Sequence, residues 1–230
     1  MTSATSIFAR AMGSDFDRLH PRIRRRFSVG LAGGEACVGR GVMERVWHGG
    51  SWVKPFLLLG GSRNILVPRA GRDIPFTIEN FPYADSYGRE TVTFVRTFAF
   101  PGGRARRFDA TMVFSEERGC VVDYLGTHQH LATDLHCAAD ATGALVIRST
   151  GHRFREGPVD ARVPGLIGGD AVVRESYDDE ADRFRIDVRV TNRRFGPLFG
   201  YRGSFTAEYV DVAERGVRDG LRPVREEARA

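Results

Sequence analysis

Lysine is nearly missing from this chain: of its 34 basic residues only Lys54 is not an arginine. The arginines are scattered from Arg10 to Arg229 among 29 acidic residues, so the formal charge of +5 lacks the clustering on one face that a nucleic-acid footprint requires. The tight runs at 22–26 and 104–107 read as solvated or ion-paired surface, and nucleic acid is not expected as a partner. Cysteine is almost as scarce. Cys37, Cys120 and Cys137 are odd in number and widely spaced, which indicates neither a disulfide framework nor a paired metal knuckle and fits a reducing, cytoplasmic setting. Long apolar runs are absent as well: the longest, at 55–59, is far too short to span a bilayer, and residues 1–10 lack the order of a signal peptide. No membrane partner is expected. Missing too are a Gly-x-Ser-x-Gly elbow, a His-Glu-x-x-His pair and a glycine-rich loop between strand and helix; the glycines at 30–34 follow a helix instead of opening one. Nucleotide binding is therefore not expected, and no cofactor or resident metal is assigned.

What is present divides into three parts. Residues 1–34 read as helical. Ser14 and Asp17 have capping-box spacing, Phe16, Leu19, Ile23 and Phe27 share a face with Pro21 as a kink, and a shorter turn carries Ile7, Phe8, Ala11 and Met12. Residues 35–215 change to period two, punctuated by Gly, Pro, Asn and Asp about every ten residues, as in an antiparallel sandwich or barrel. Strands are expected at 37–47, 64–67, 74–83, 90–100, 106–114, 120–125, 130–137, 144–149, 171–177, 184–191 and 201–212, most of them joined by hairpin turns. Residues 216–230 read as a flexible tail. A meander of this many twisted strands tends to curl or close, so one domain is expected: an all-β, lipocalin-like barrel or half-barrel of about 8–11 strands with the N-terminal helices as lid or plug.

Alternation then selects candidate interior residues. Phe94, Arg96 and Phe98 lie on one face of a strand, which sets a guanidinium among aromatic rings; such a charge needs a partner, either Glu79 or Glu175 or an acidic or carbonyl group of a ligand. Met112, Tyr201 and Phe205 extend the lining. Three of six histidines fall within 128–136, with Asp123 and Tyr124 just upstream and Asp134 between them. Imidazole titrates near physiological pH, so His128 or His130 is a candidate proton carrier oriented by Asp123 or Tyr124. On a straight strand His128 and His136 would stand about 26 Å apart, and one His-x-His pair supplies two ligands where a zinc site needs three or four.

Several stretches together resemble a known bacterial family. These are FDRLHP at 16–21, GRGVM at 39–43, PFTIEN at 75–80, RETVTFVRTF at 89–98, FDATM at 108–112, DYLGTHQHL at 123–131 and FGPLFGYRGSF at 195–205. The chain is similar over nearly its whole length to the family catalogued as domain of unknown function 4166. The resemblance implies that members can be joined to a nicotinamide-dependent, dehydrogenase-like domain, which makes such a domain a candidate partner; it carries over no catalytic residue. Three readings follow. The first is an apolar or aromatic small molecule bound in the barrel, with Arg96, Glu79, His128, His130, Asp123 and Tyr124 as polar anchors. The second is a cofactor-independent cyclase or isomerase using the same groups, and the third is a protein-interaction module.

Overall fold

The computed structural model describes residues 5–50, 53–163, 169–218 and 220–230. Two short helices come first, α1 (Ile7–Met12) and α2 (Pro21–Phe27), with a 3-10 turn at Gly13–Arg18 between them. Pro21 does not kink a longer helix as expected; it occupies the first turn of α2, where its missing N–H costs nothing, and His20 caps that turn. Ser6 caps α1 through its side chain, while Ser14, expected to cap the following helix, lies inside the 3-10 turn.

The strands follow as β1 (Glu35–His48), β2 (Gly71–Asn80), β3 (Pro82–Ala84), β4 (Glu90–Phe98), β5 (Arg106–Ser115), β6 (Cys120–Leu125), β7 (Leu131–Ala139), β8 (Leu145–Glu156), β9 (Val159–Arg162), β10 (Asp170–Asp178), β11 (Arg183–Asn192) and β12 (Gly196–Asp211). Their order is β10-β11-β12-β1-β2-β4-β5-β6-β7-β8, and β10 also pairs with β8, so ten antiparallel strands close into a barrel. The short β3 and β9 pair outside the ring, on β4 and β8. Closure leaves the ring without a free edge. Strand β1 can bend into it because Gly41 lies where a side chain would meet the backbone of Ser204 at 2.0 Å.

Two elements differ from expectation. Residues 64–67, read as a strand, form an irregular segment, and the apolar run before them is a helix, α3 (Lys54–Gly61). Short apolar runs do not separate helix from strand by periodicity. The end of the chain is docked and not a free tail. Leu221 is buried against Ala36, Val38, Phe81 and Val95, and Glu227 takes the side-chain carbonyl of Gln129 on its backbone N–H at 2.6 Å.

The helices plug one end of the ring. Phe8 and Phe27 meet edge to face at 4.8 Å between ring centres, and Phe8 packs on Phe94 of β4 at 5.9 Å, so the plug and the wall share one aromatic cluster. Arg26 of α2 points inward with them. It is 3% exposed and donates to Glu175 of β10, to Asn80 of β2 at 2.7 Å and to the Cys37 sulfur of β1 at 3.1 Å. The plug is thus tied by one side chain to three strands.

Candidate functional site

The barrel is filled unevenly. Against β1 and β2, Phe76, Phe98 and Tyr201 interlock with ring centres 5.1 to 6.1 Å apart, and Phe205 stacks on Phe184 at 5.2 Å. Across from them β7, β8 and β10 contribute the smaller Thr133, Ser149, Ala171 and Val173, which do not reach the aromatic layer. What results is a cavity of about 600 Å³, the size of a small-molecule site. Its wall is mostly aliphatic and aromatic. Phe27 closes the helical end, and Leu66, His128, His130, His152, Phe154, Glu156 and Phe195 stand around the other.

Four ionisable side chains reach this interior from the wall below the mouth. Arg96 on β4 is 7% exposed and lies between the rings of Phe94 and Phe108, its guanidinium carbon 5.4 and 4.9 Å from their centres. No carboxylate among the described residues pairs with it, and its Nε has no hydrogen-bond partner. Asp123 on β6 faces the same space with Oδ1 unpartnered; burial pushes its carboxyl up to about 7 although the Arg96 charge pulls the other way. Tyr201 on β12 is fully buried with a hydroxyl lacking a well-formed hydrogen bond; burial raises it to about 12 despite the nearby Arg96. Glu175, the fourth, is taken by Arg26.

A family model described as Domain of unknown function (DUF4166) matches residues 19–205, from just before α2 into β12, and so spans the cavity's polar groups. The chain belongs to this family. The Uncharacterized protein YndH of Bacillus subtilis (strain 168) is 30% identical over 194 residues, 84% of this chain and 93% of that protein.

In this DUF4166 barrel the residues singled out by sequence fall into three groups. Arg96, Phe94, Met112, Tyr201 and Asp123 line the cavity, with His128 and His130 at its mouth. Phe98 and Phe205 belong to the packed aromatic layer beside it. Tyr124 and Glu79 face outward. Neighbours on a strand point to opposite faces, so once Asp123 is inside, Tyr124 is outside, where its hydroxyl donates to the Arg229 carbonyl of the docked terminus. Glu79 is placed outside by the inward Ile78 and pairs with Arg218. Neither can anchor a ligand in the cavity or orient a histidine there.

The histidines are a rim feature. His128 and His130 stack with ring centres 5.7 Å apart, and His130 sits against Glu156 at 2.6 Å and over Phe154. Partial burial and Arg63 hold His128 below the usual imidazole value. Asp123 is paired in register with Thr133, three residues beyond His130, so about 10 Å of strand separates the carboxyl from the rim. His136 is exposed on the outer face with Asp134, whereas His128 and His130 precede β7 in a loop where Gln129 takes a φ of 53°, so the strand's parity does not extend to them. Among the described residues no three His, Cys, Asp or Glu side chains are grouped to hold a metal ion.

Sequence reasoning missed His152 at the mouth, within 3.4 Å of Asp170, and Arg26 at the floor. Arg26 had a signal. Ile23, Arg26 and Phe27 share one face of α2 at i, i+3, i+4 spacing, so the run 22–26 is a surface run with one member turned inward.

Proposed function

We propose that the barrel binds one apolar or aromatic small molecule in its interior. The observation that carries this reading is the combination of a 600 Å³ apolar cavity with three buried polar groups facing it, on Arg96, Asp123 and Tyr201, each with an atom that lacks a well-formed hydrogen bond. Buried polar atoms are ordinarily satisfied, and three convergent exceptions are what a site looks like when its ligand supplies the missing bonds. The exposed arginines of β11 give less support to an interaction module, since Arg185 and Arg189 are paired with Asp178 and Asp187.

A second reading is favoured by one observation: Asp123, with a carboxyl near 7 beside a guanidinium, has the tuning of a general acid or base. It would make the same cavity the site of a cyclase or isomerase, with Asp123 in the place first assigned to His128 and His130.

The test is to fill the cavity. Val188 is 2% exposed and lines the space, so Val188→Trp replaces void with indole and should leave the fold standing while removing ligand capacity. Wild-type protein purified from its own host should carry a co-purifying organic mass in native mass spectrometry, and should take up 1-anilinonaphthalene-8-sulfonate once stripped. The variant should do neither. A wild type that is empty and takes up no dye would sink the reading, and so would a folded variant that binds as well as wild type.

A further inference from the structure

We propose that the ligand is a monocarboxylic amphiphile, its carboxylate seated on Arg96 in the barrel interior and its apolar body filling the cavity toward the histidine-lined mouth. The inference rests on the binding reading above and adds the ligand's charge, chemical class and orientation.

Charge counting inside the barrel is the first support. The buried charges facing the cavity are Arg96, Asp123, Glu175 and, behind Glu175, Arg26. Arg26 and Glu175 are bonded to one another and cancel. Burial keeps about half or more of Asp123 protonated at neutrality and below. Arg96 is therefore the buried charge of the cavity with no counter-charge in contact among the described residues, 7% exposed, and a buried charge of that kind is costly unless something of opposite sign meets it. The two protein carboxylates that strand position made available are both engaged elsewhere, Glu79 with Arg218 on the outside and Glu175 with Arg26 at the floor. One monoanion completes the site, whereas a dianion such as a phosphate monoester would overshoot it.

Hydrogen bonding gives the second support, independently of charge. The atoms without a well-formed hydrogen bond are Arg96 Nε, a donor, the Tyr201 hydroxyl, which donates and accepts, and Asp123 Oδ1, whose carboxyl donates when protonated. All three groups can donate to a bound molecule, and the Tyr201 hydroxyl stands beside the Arg96 guanidinium. A carboxylate offers two oxygens with about four acceptor positions, while an ester or alcohol offers fewer and no charge. The flanking Phe94 and Phe108 rings hold the guanidinium in place before any ligand arrives, so little ordering has to accompany binding.

The test uses a matched pair of fluorescent probes, cis-parinaric acid and its methyl ester, titrated into wild-type protein at pH 6. The acid should bind about 10- to 100-fold tighter than the ester, the worth of a charge-assisted hydrogen bond. In Arg96→Leu the two should bind within about threefold of each other, with the ester's affinity close to its wild-type value. Arg96→Lys should recover part of the preference through charge alone. Equal binding of acid and ester by wild type overturns this inference and leaves the cavity reading intact. Binding of neither overturns both. Because the wild-type ratio decides by itself, a poorly folding Arg96→Leu does not remove the test. If that variant folds and keeps the preference, Arg96 is not the anchor and the proposal fails.

Discussion

Replacing Arg26 by methionine should cost about 3–5 kcal/mol of folding stability, because it leaves the Glu175 carboxylate buried without its partner. Both residues are 3% exposed, and the guanidinium also serves Asn80 and Cys37. The loss is that of an abandoned charge more than that of a net attractive bond. The double replacement Arg26→Met with Glu175→Leu should therefore recover most of it, since removing both partners removes the unpaired charge. Urea unfolding of the two single variants and the double variant, followed by circular dichroism, gives the coupling directly. A single variant within about 1 kcal/mol of wild type would show that α2 is held by its aromatic contacts alone. A double variant as unstable as either single one would show that the bonds to Asn80 and Cys37 matter more than the charge.

Asp123 should impose a pH dependence of the opposite kind from most carboxylates. Its carboxyl titrates near 3.8 when unfolded and at about 7 in the barrel. Between those values the folded protein holds a proton that the unfolded chain has released, so the contribution of Asp123 to stability is greatest below about pH 4 and falls as pH rises to about 7. A gap of about three pH units corresponds to about 4 kcal/mol, an upper bound at 1.36 kcal/mol each. Asp123→Asn stands in for the protonated form at every pH. Variant and wild type should then unfold at similar denaturant concentrations near pH 4 and separate above it, with the variant more stable by up to about 4 kcal/mol at pH 8. Asp140 and Glu227, both held at about 2 by hydrogen bonds and arginines, lose their contribution in acid, but equally in both proteins, so the difference isolates residue 123. Parallel pH profiles would mean that the cavity is wet enough to hydrate the carboxylate, and Asp123 would drop out of the site.

Much of the barrel was legible because strand alternation is a local signal. The period-two pattern, the turns and the inward row Phe94, Arg96, Phe98 are set by residues within one strand, and the structure places them accordingly. The same rule, applied strictly, would also have put Tyr124 and Glu79 outside, since each adjoins an inward residue. What was not legible depends on pairings between distant segments. The cavity exists because small residues of β7, β8 and β10 lie opposite the aromatic layer, and the contact of Val173 with Ile147 across the closure is invisible in either strand alone. Nor does composition show that Leu221 and Glu227 find buried places on the barrel's flank: a polar, arginine-rich stretch such as 215–230 reads as solvated until its individual partners are known.

The ring has two short joints, four register pairs between β8 and β10 and four between β2 and β4. They divide it into arcs of different origin. One arc, β4 to β8, is a continuous meander in which every strand pairs with the next along the chain. The other brings the two ends of the sequence together, pairing Glu35 with Asp211. Hairpins close small loops, whereas pairing β1 with β12 closes a loop of most of the chain, which carries the larger entropic cost. The cavity takes Asp123, Leu135 and Ile147 from one arc and Val173, Val188 and Tyr201 from the other. On the binding reading, a molecule held there would touch both arcs, so its affinity would be coupled to the closure of the ring.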